Sequence, residues 1–193
     1  MKIVKLEEAG FDSALYGFSL SFRKPGLTRD EWWDRERKQR TYKAALANAD
    51  RDGGHNKFLE HIQVWVSIQA TLEWWKQYDT YRIGVSKQSE STMHTLDFGP
   101  IRTEHMDIKA EEFLCHDDHM TYLMYIDMLS NQDSRLKSKG LPQGYLQERE
   151  VNLNYKVIRH IANQRFEHRI GDWKLMIESL ISQLVYPEFI KIK

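Results

Sequence analysis

The segment Gly54–His94 carries polar side chains suited to chemistry at both of its ends. Its first turn holds two histidines and one glutamate, His55, His61 and Glu60. Its last part is a cluster of hydroxyl and amide side chains, Ser86, Gln88, Ser89 and Ser91. Hydroxyl and backbone donors at a helix start can bind phosphate. Neutral donors bind a dianion weakly, so positive charge would have to come from Arg82, Lys87, Arg135, Lys137 or Lys139. The alternative is that these Ser- and Lys-rich stretches are solvated loops.

A second group of potential ligands surrounds the only cysteine of the chain, in Cys115-His116-Asp117-Asp118-His119, with His105 and Asp107 upstream. These residue types bind zinc or iron, but their spacing matches no closed zinc pattern. Acidic residues before an apolar run are also typical of a helix N-terminus. The turn from His55 to His61 likewise lacks the histidine pair one helical turn apart that a metalloprotease needs. We therefore expect no metal site.

The elements that must position these side chains follow from hydrophobic periodicity. Strict alternation predicts a half-buried strand over His61–Ala70, and a shorter strand over Met1–Leu6. The capping-box pattern that starts at Thr28 predicts a helix running to about Asp50. Further helices are predicted over Thr71–Tyr81, His119–Ser130, Val151–Arg165 and Gly171–Val185. Asp12–Phe22 fits helix or strand, Ser86–His94 fits a loop or short helix, and Asn131–Gly140 is predicted as a polar linker. Together these segments predict an α+β fold with more helix than strand.

Composition excludes several classes of protein. The chain has 193 residues, which suits one domain, and its 28 basic and 28 acidic residues create no global field that attracts nucleic acid or membrane. One cysteine excludes an internal disulfide framework and favours a reducing compartment. No apolar run approaches the roughly 20 residues of a membrane span or resembles a signal peptide. We expect a cytoplasmic globular protein without a membrane or nucleic-acid partner.

Four groups of residues occur in an order that points to a known family. They are the turn Gly54–His61, Gln77 with Arg82, Ser86 with Ser91 when one insertion is allowed, and finally Leu141-Pro142, Asn154 and Arg165. In these groups, over about residues 54–165, the chain resembles the flavin-dependent thymidylate synthases. The resemblance implies a single domain over residues 1–193 with a central, mainly antiparallel sheet flanked by helices.

The resemblance also implies roles for individual residues. The cofactor-binding positions would be His55, Glu60, Arg82, Asn154, Lys156 and His160. The substrate-binding positions would be Gln77, Ser86, Ser91 and Arg165, with Arg165 and His55 in the catalytic centre. The planar guanidinium of Arg165 can pair with a pyrimidine carbonyl and favour an enolate-like base. The alternatives are a surface arginine at a helix C-terminus for Arg165, a local helix cap for Asn154, and a hydrogen-bonded loop for His55 and Glu60.

The chain departs from the family pattern at several positions. In the family, the residues at these positions largely bind phosphate groups. Thr80, Tyr81 and Met93 stand where the pattern has Arg, His and Arg. Lys156 replaces the arginine of an Asn-x-Arg motif, and His160 occupies a position often held by asparagine. We therefore expect weak binding of a nucleotide monophosphate.

The implied reaction is flavin-dependent transfer of a one-carbon unit to C5 of a pyrimidine deoxynucleotide, dUMP to dTMP. It would use FAD, with methylenetetrahydrofolate and NADPH as co-substrates, and the altered phosphate contacts allow a different nucleotide. The resemblance implies a homotetramer, and burial of Trp32, Trp33, Trp65, Trp74 and Trp75 between subunits or in the core fits the aromatic content. The alternative is a non-catalytic nucleotide- or protein-binding module that keeps the fold.

Overall fold

Four strands form one antiparallel sheet in the computed structural model, which describes residues 1–192. The strands are β1 (Lys2–Ala9), β2 (Gln63–Thr71), β3 (Val85–Ser89) and β4 (Leu146–Asn154). Their order in the sheet is β1-β2-β4-β3, so the two strands that lie next to each other in the middle are far apart in the sequence. The predicted α+β class with an antiparallel sheet is confirmed.

The α-helices of the described residues lie in the connections between the strands and after the last strand, β4. They are α1 (Phe11–Ser19), α2 (Arg29–Trp32), α3 (Arg35–Asn48), α4 (Leu72–Tyr78), α5 (Thr92–Thr95), α6 (His116–Ser130), α7 (Ser134–Gly140), α8 (Tyr155–Arg165) and α9 (Gly171–Gln183). The segment that fitted helix or strand, Asp12–Phe22, is thus mostly helix α1. Within residues 1–192 the longest helix has 15 residues, and none has the length and apolar character needed to cross a bilayer.

The chain forms two compact units. Within the described residues, unit 1 contains residues 1–2, 67–82 and 87–150, and unit 2 contains residues 3–66, 83–86 and 151–192. The core of unit 1 is an apolar cluster around α6, formed by Leu96, Ile101, Met106, Ile126, Leu129, Leu141 and Tyr145. The core of unit 2 includes the fully buried side chains Leu59, Ile62, Leu153, Tyr155, Ile161, Trp173, Met176 and Phe189. The single-domain interpretation of residues 1–193 stays a prediction.

The predicted strand over His61–Ala70 is confirmed as β2, shifted by one or two residues. Its side chains alternate strictly between buried and half-buried positions. The buried set consists of Val64, Val66, Ile68 and Ala70. The apolar period of two therefore fixes which face of this strand enters the core.

The predicted helix from Thr28 to Asp50 is two helices. The capping box is present, because Thr28 Oγ1 accepts from the Glu31 amide and the Glu31 carboxylate accepts from the Thr28 amide. Helix α2 nevertheless ends at Trp32, where Trp33 leaves the helical region, and Asp34 caps α3 by accepting from the Arg37 amide at 2.7 Å. A second capping residue was hidden inside the predicted helix.

Three further boundaries differ from the prediction for similar local reasons. The proposed linker Asn131–Gly140 contains α7, because Asp133 caps it by accepting from the Leu136 amide at 2.9 Å. The start of Ser86–His94 is strand β3 rather than loop or helix. The proposed helix Val151–Arg165 begins only at Tyr155, because β4 continues through Asn154 in an extended backbone conformation.

Most of the tryptophans are used in the core of the chain itself. Trp32, Trp33, Trp74 and Trp75 are buried, and only Trp65 of the five is half-buried. Trp75 donates its indole N–H to the Gln147 carbonyl at 2.9 Å. The aromatic content therefore reflects packing within the chain and gives no support for burial between subunits.

Candidate functional site

A cavity of about 590 Å³ lies along helix α8 in unit 2, and we call it the α8 pocket. Its walls are formed by Asp52, Glu60, Ile83, Gly84, Asn154, Lys156, Val157, Arg159, His160 and Asn163. Four of the six residues predicted for the cofactor, Glu60, Asn154, Lys156 and His160, therefore line one cavity. Its volume falls within the roughly 300–1,000 Å³ of typical ligand pockets.

The spacing of residues on α8 explains this convergence. Lys156, His160 and Asn163 follow one another at intervals of four and three residues, so they share one face of the helix. The other face carries Ile158, Ile161 and Ala162, which are buried in the core of unit 2. Core packing thus holds the polar face of α8 toward the pocket.

Asn154 serves both the helix and the pocket wall. Its Oδ1 accepts from the Val157 amide at 3.0 Å and caps α8, as the alternative interpretation of this residue expected. The residue is buried, and its Nδ2 faces Gly84, where an added Cβ would lie only 3.0 Å away. The acceptor end of the amide is therefore committed to the helix, and the donor end belongs to the pocket.

Charges around the α8 pocket are balanced by ion pairs. Lys156 Nζ lies 2.5 Å from Glu60 Oε1. The buried Arg159 lies 3.4 Å from Asp52 Oδ1 through Nη1, and its Nη2 donates to the Asp50 carbonyl at 3.0 Å. Both cations of the lining thus have a carboxylate partner, which means that the pocket offers hydrogen bonds rather than a surplus of positive charge.

Sequence reasoning missed Arg159, Asp52 and Gly84. A charged residue on a helix is usually solvent-exposed, so nothing in the sequence marks Arg159 as buried. Its Nε lies 3.8 Å from Asp50 Oδ1, and neither atom has a hydrogen-bond partner. Arg159 thereby ties α8 to the loop that leads from Asp50 to the predicted site residue His55.

His55 lies on a different cavity of unit 2, of about 570 Å³, which we call the His55 pocket. Its walls come from α1, the residues after α1, the end of α3 and the turn at residues 54–61. They include Phe18, Phe22, Asn48, His55, Lys57, Phe58 and His61. Phe18 and Phe58 meet edge to face at 5.3 Å. Among the described residues, the lining contains no carboxylate. The structure therefore separates His55 from Glu60, although both belong to one sequence motif.

Arg165 lies outside the lining of the α8 pocket. It is the last residue of α8, half-buried, with its guanidinium carbon 5.0 Å from the centre of the Trp173 ring. The eleven residues of α8 place it about 16 Å along the helix axis from the capped end. This position matches the alternative of an arginine at a helix C-terminus and leaves its predicted role untested.

The predicted substrate residues lie on separate elements. Gln77 is in the last turn of α4, Ser86 is exposed on β3, and Ser91 precedes the four-residue helix α5. Arg82, the remaining predicted cofactor residue, is exposed and donates from Nε to the Asp79 carbonyl at 3.5 Å. No single loop gathers the predicted hydroxyl cluster within the described chain, because β3 divides it.

Two cations suggested for phosphate binding have structural partners instead. Lys87 Nζ lies 2.6 Å from Asp79 Oδ1, which also accepts from Arg149 at 3.1 Å. Burial opposes ionisation of Asp79, but the Lys87 hydrogen bond and the Arg149 charge outweigh it and lower its pKa. Lys137 is buried and donates to the Leu96 carbonyl at 3.3 Å. These lysines therefore hold unit 1 together.

The chain departs from the family pattern at Thr80, Tyr81 and Met93, which lie in different surroundings. Tyr81 is buried beside Tyr78, with the ring centres 6.0 Å apart, and Thr80 Oγ1 donates to the Gln77 carbonyl at 2.8 Å. Met93 is exposed on α5. Cys115 is exposed as well, and residues 1–192 bring no three potential metal ligands together.

Neither a protein-family model nor a curated protein sequence matches the chain. Solved structures do match. The flavin-dependent thymidylate synthase ThyX from Helicobacter pylori, complexed with FAD and dUMP, aligns with a TM-score of 0.79 at 10% identity and covers 100% of both chains. Another structure of thymidylate synthase X from Helicobacter pylori with FAD and dUMP gives 0.73 at 12% identity, over 97% of this chain and 95% of that one.

A third similar structure is that of an enzyme described as acting on both UMP and dUMP. The UMP/dUMP methylase PolB from Streptomyces cacaoi, bound with 5-Br UMP, aligns with a TM-score of 0.58 at 12% identity, over 94% of this chain and 87% of that one. At sequence identities this low, the structural similarity shows a shared fold and does not show a shared activity. The chain has the fold of the flavin-dependent thymidylate synthases, as the order of its sequence motifs predicted.

Proposed function

We propose that this chain is a divergent flavin-dependent thymidylate synthase-like enzyme, which transfers a one-carbon unit to C5 of a pyrimidine nucleotide. The observation that carries the proposal is the α8 pocket. It gathers Glu60, Asn154, Lys156 and His160 on a fold whose solved examples include complexes with FAD and dUMP. Residues chosen by motif order alone thus share one cavity of ligand size.

The α8 pocket fits the ring portion of a flavin better than its diphosphate. Asn154, His160 and Asn163 present hydrogen-bonding side chains along a rigid helix, and Gly84 leaves the facing wall without a side chain. The two cations of the lining are already paired with Asp52 and Glu60, so the pocket has no surplus charge for phosphate. When bound, FAD would supply the redox chemistry and the carrier for the one-carbon unit.

The remaining roles follow the sequence interpretation. His55 and Arg82 would contact other parts of the cofactor, and Arg165 would hold the pyrimidine base through its planar guanidinium. Gln77, Ser86 and Ser91 would contribute neutral contacts to the nucleotide. Methylenetetrahydrofolate and NADPH would be the co-substrates, and we further propose a cytoplasmic homotetramer.

We propose that this chain selects its nucleotide less strictly than an enzyme specific for dUMP, because it lacks contacts to phosphate. Charge-assisted contacts to phosphate are worth roughly 1.5–3 kcal/mol each, so losing two of them can weaken binding more than a hundredfold. Thr80 and Met93 stand at such positions, and Lys87 is paired with Asp79. A chain of this kind would bind dUMP or UMP weakly unless other cations contribute.

The proposal is tested by two measurements on the full chain. The first is the visible absorption spectrum of the protein after purification and again after reconstitution with FAD and removal of free cofactor. The second is release of tritium from C5-labelled dUMP or UMP in the presence of methylenetetrahydrofolate and NADPH. We expect a protein-bound flavin spectrum and tritium release, and failure to retain any flavin would overturn the proposal.

The alternative function is a non-catalytic nucleotide- or protein-binding module. The paired charges of the α8 pocket and the loss of phosphate-gripping arginines favour it. It predicts bound flavin or nucleotide without tritium release. The two measurements together therefore separate the enzyme from the binding module.

A further inference from the structure

The formal charges in the lining of the α8 pocket add up to zero. The lining contains two carboxylates, Asp52 and Glu60, and two permanent cations, Lys156 and Arg159. A phosphate monoester carries a charge of about −1.5 to −2 at neutral pH. The pocket therefore provides no net attraction for the phosphate of a cofactor.

Arg159 is committed to the loop that follows α3. It is buried, its Nη1 lies 3.4 Å from Asp52 Oδ1, and its Nη2 donates to the Asp50 carbonyl at 3.0 Å. The Asp50 carboxylate has Lys191 as a second cation, with Lys191 Nζ 3.3 Å from Oδ2. Moving this guanidinium to a phosphate would leave buried polar groups without partners, which costs free energy. Arg159 is therefore not a phosphate ligand.

Glu60 cancels the charge of the other cation, Lys156. The two side chains are 45% and 38% exposed, and Lys156 Nζ lies 2.5 Å from Glu60 Oε1. An ion pair that solvent reaches is weak and opens readily. The strength of the pair is thus not what opposes phosphate binding. The carboxylate of Glu60 stays close to Lys156 even when the pair opens, and its negative charge repels a phosphate there.

The start of α8 offers few backbone donors to a phosphate. Helix N-termini bind anions through amides that lack a partner within the helix. In α8 the Val157 amide donates to Asn154 Oδ1 at 3.0 Å. The Tyr155 amide donates to the Ile62 carbonyl at 3.1 Å. Two of the first amides of the helix are therefore already used.

Uncharged groups of the same lining suit a planar ring with apolar faces and a polar edge. Ile83 is 93% exposed and Val157 is half-buried, so both present apolar surface to the pocket. Gly84 adds no side chain between them. Asn154 supplies a buried amide donor for a polar edge. Apolar walls with a few placed polar groups are typical of sites for ring-containing ligands.

We propose that the α8 pocket selects its cofactor by the flavin ring alone, and that Glu60 sets this selectivity by cancelling the charge of Lys156. The inference rests on the proposed function, because it takes the occupant of the pocket to be a flavin. Riboflavin has the ring without phosphate, FMN adds a phosphate group, and FAD adds a diphosphate that leads to adenosine. The chain therefore binds riboflavin and FMN about as tightly as FAD.

The first test titrates the full native chain with riboflavin, FMN and FAD, followed by flavin fluorescence, and with ADP, followed by calorimetry. We expect the three flavin affinities to agree within about threefold, because no charge-assisted contact distinguishes them, and no binding of ADP. A preference of about tenfold or more for FMN or FAD over riboflavin, the size of one such contact, would overturn this inference and leave the proposed function standing. Failure to bind any flavin would overturn both.

The second test changes the charge balance and measures the ratio of FMN affinity to riboflavin affinity. Glu60→Gln leaves the charge of Lys156 uncancelled, so the ratio should rise about tenfold. Lys156→Met leaves Glu60 alone, so the ratio should fall below its native value. The double variant has no net change in charge and should return to the native ratio. Riboflavin affinity should stay constant throughout, which makes it an internal reference.

The matched control is Glu36→Gln. Glu36 is an exposed carboxylate of unit 2 that pairs with Arg40 on α3, outside the lining of the α8 pocket. We expect it to leave the ratio unchanged, and circular dichroism checks that each variant is folded. An unchanged ratio in folded Glu60→Gln, or an equal rise in Glu36→Gln, would overturn the role of Glu60. Loss of riboflavin binding in folded Glu60→Gln would overturn it as well, because the carboxylate would then contact the ring.

Discussion

Gly84 and Asn154 lie so close that a Cβ atom on residue 84 would stand 3.0 Å from Asn154 Nδ2. It would also stand 3.0 Å from Val157 Cγ2, in the first turn of α8. The backbone of Gly84 has a φ of +71°, which favours glycine. The missing side chain therefore sets the wall of the α8 pocket.

Gly84→Ala should lower the free energy of unfolding and weaken flavin binding. The left-handed backbone costs alanine roughly 1–2 kcal/mol, and the added methyl group pushes against Asn154 and Val157. The matched control is Gly26→Ala, with a φ of +86° and no neighbour within 4 Å of its Cβ. Chemical denaturation and FAD titration check both variants. Equal flavin affinity in the two would show that the close contact at residue 84 is irrelevant to the pocket.

Asn154→Asp should separate the role of this side chain as the cap of α8 from its role in the α8 pocket. Aspartate caps a helix about as well as asparagine, so the stability should change by less than about 0.5 kcal/mol. It lacks the Nδ2 donor and adds a negative charge, so flavin binding should fall. Asn154→Ala loses the cap and should cost about 1 kcal/mol in addition. If Asn154→Asp binds FAD normally, Asn154 is only a helix cap.

Arg165→Lys should leave the flavin content unchanged and weaken nucleotide binding by about tenfold or more. Lysine keeps the charge but loses the planar pair of donors, and a charge-assisted hydrogen bond is worth roughly 1.5–3 kcal/mol. Calorimetric titration with dUMP and UMP measures the affinity. The control is Arg169→Lys, an exposed arginine of the same unit. The same affinity in both variants would make Arg165 a partner of Trp173 and nothing more.

Arg159→Met should destabilise the fold by about 2 kcal/mol, because it removes charge-assisted hydrogen bonds of a buried guanidinium, worth roughly 1.5–3 kcal/mol, to partners that are themselves partly exposed. The change leaves Asp50 with Lys191 at 3.3 Å as its remaining cation and frees the loop that Arg159 holds. Arg51→Met is the matched control, because Arg51 is exposed and should change stability by less than about 0.5 kcal/mol. Urea denaturation of both variants gives the comparison. A small effect at residue 159 would mean that the loop is held by other contacts.

Asp79→Asn should reduce the loss of stability in acid. The pKa of Asp79 lies below its ordinary value of 3.8, so the folded state binds this proton less tightly than the unfolded state. Its stabilising effect is therefore present above the unfolded pKa and is lost as the pH falls through the folded pKa. Unfolding measured at about pH 6 and about pH 3 should differ less in Asp79→Asn than in the native chain. Asp97→Asn, which replaces an exposed carboxylate of unit 1, should keep the native difference.

Sequence patterns predicted β2 but missed β4, and the reason lies in the side chains. β2 alternates apolar and polar residues without interruption. The middle of β4 holds Glu148, Arg149 and Glu150, which break any alternation. Arg149 is held by Asp79 and lies over the Trp75 ring at 4.4 Å. Such tertiary partners are invisible in one sequence, so the strand merged with the following helix in the prediction.

The sequence predicted those residues of the candidate site that lie on one helix, α8, or in the turn at residues 54–61. Motif order identified Glu60, Asn154, Lys156 and His160, and the structure places all four in one cavity. Gly84 and Arg159 reach the same cavity only through packing between distant parts of unit 2. The sequence also offered no sign that His55 and Glu60, five residues apart, would line different pockets.

The loop held by Arg159 forms part of the wall of two cavities. Asp52 lines the α8 pocket, whereas Gly54 and His55, only two and three residues later, line the His55 pocket. A ligand that moves this loop when it binds at one pocket therefore also moves residues that line the other. Where that movement changes an affinity, thermodynamic reciprocity makes the effect of each ligand on the binding of the other the same factor. The short stretch from Asp50 to His55 is thus the place where this fold can make the binding of two ligands cooperative.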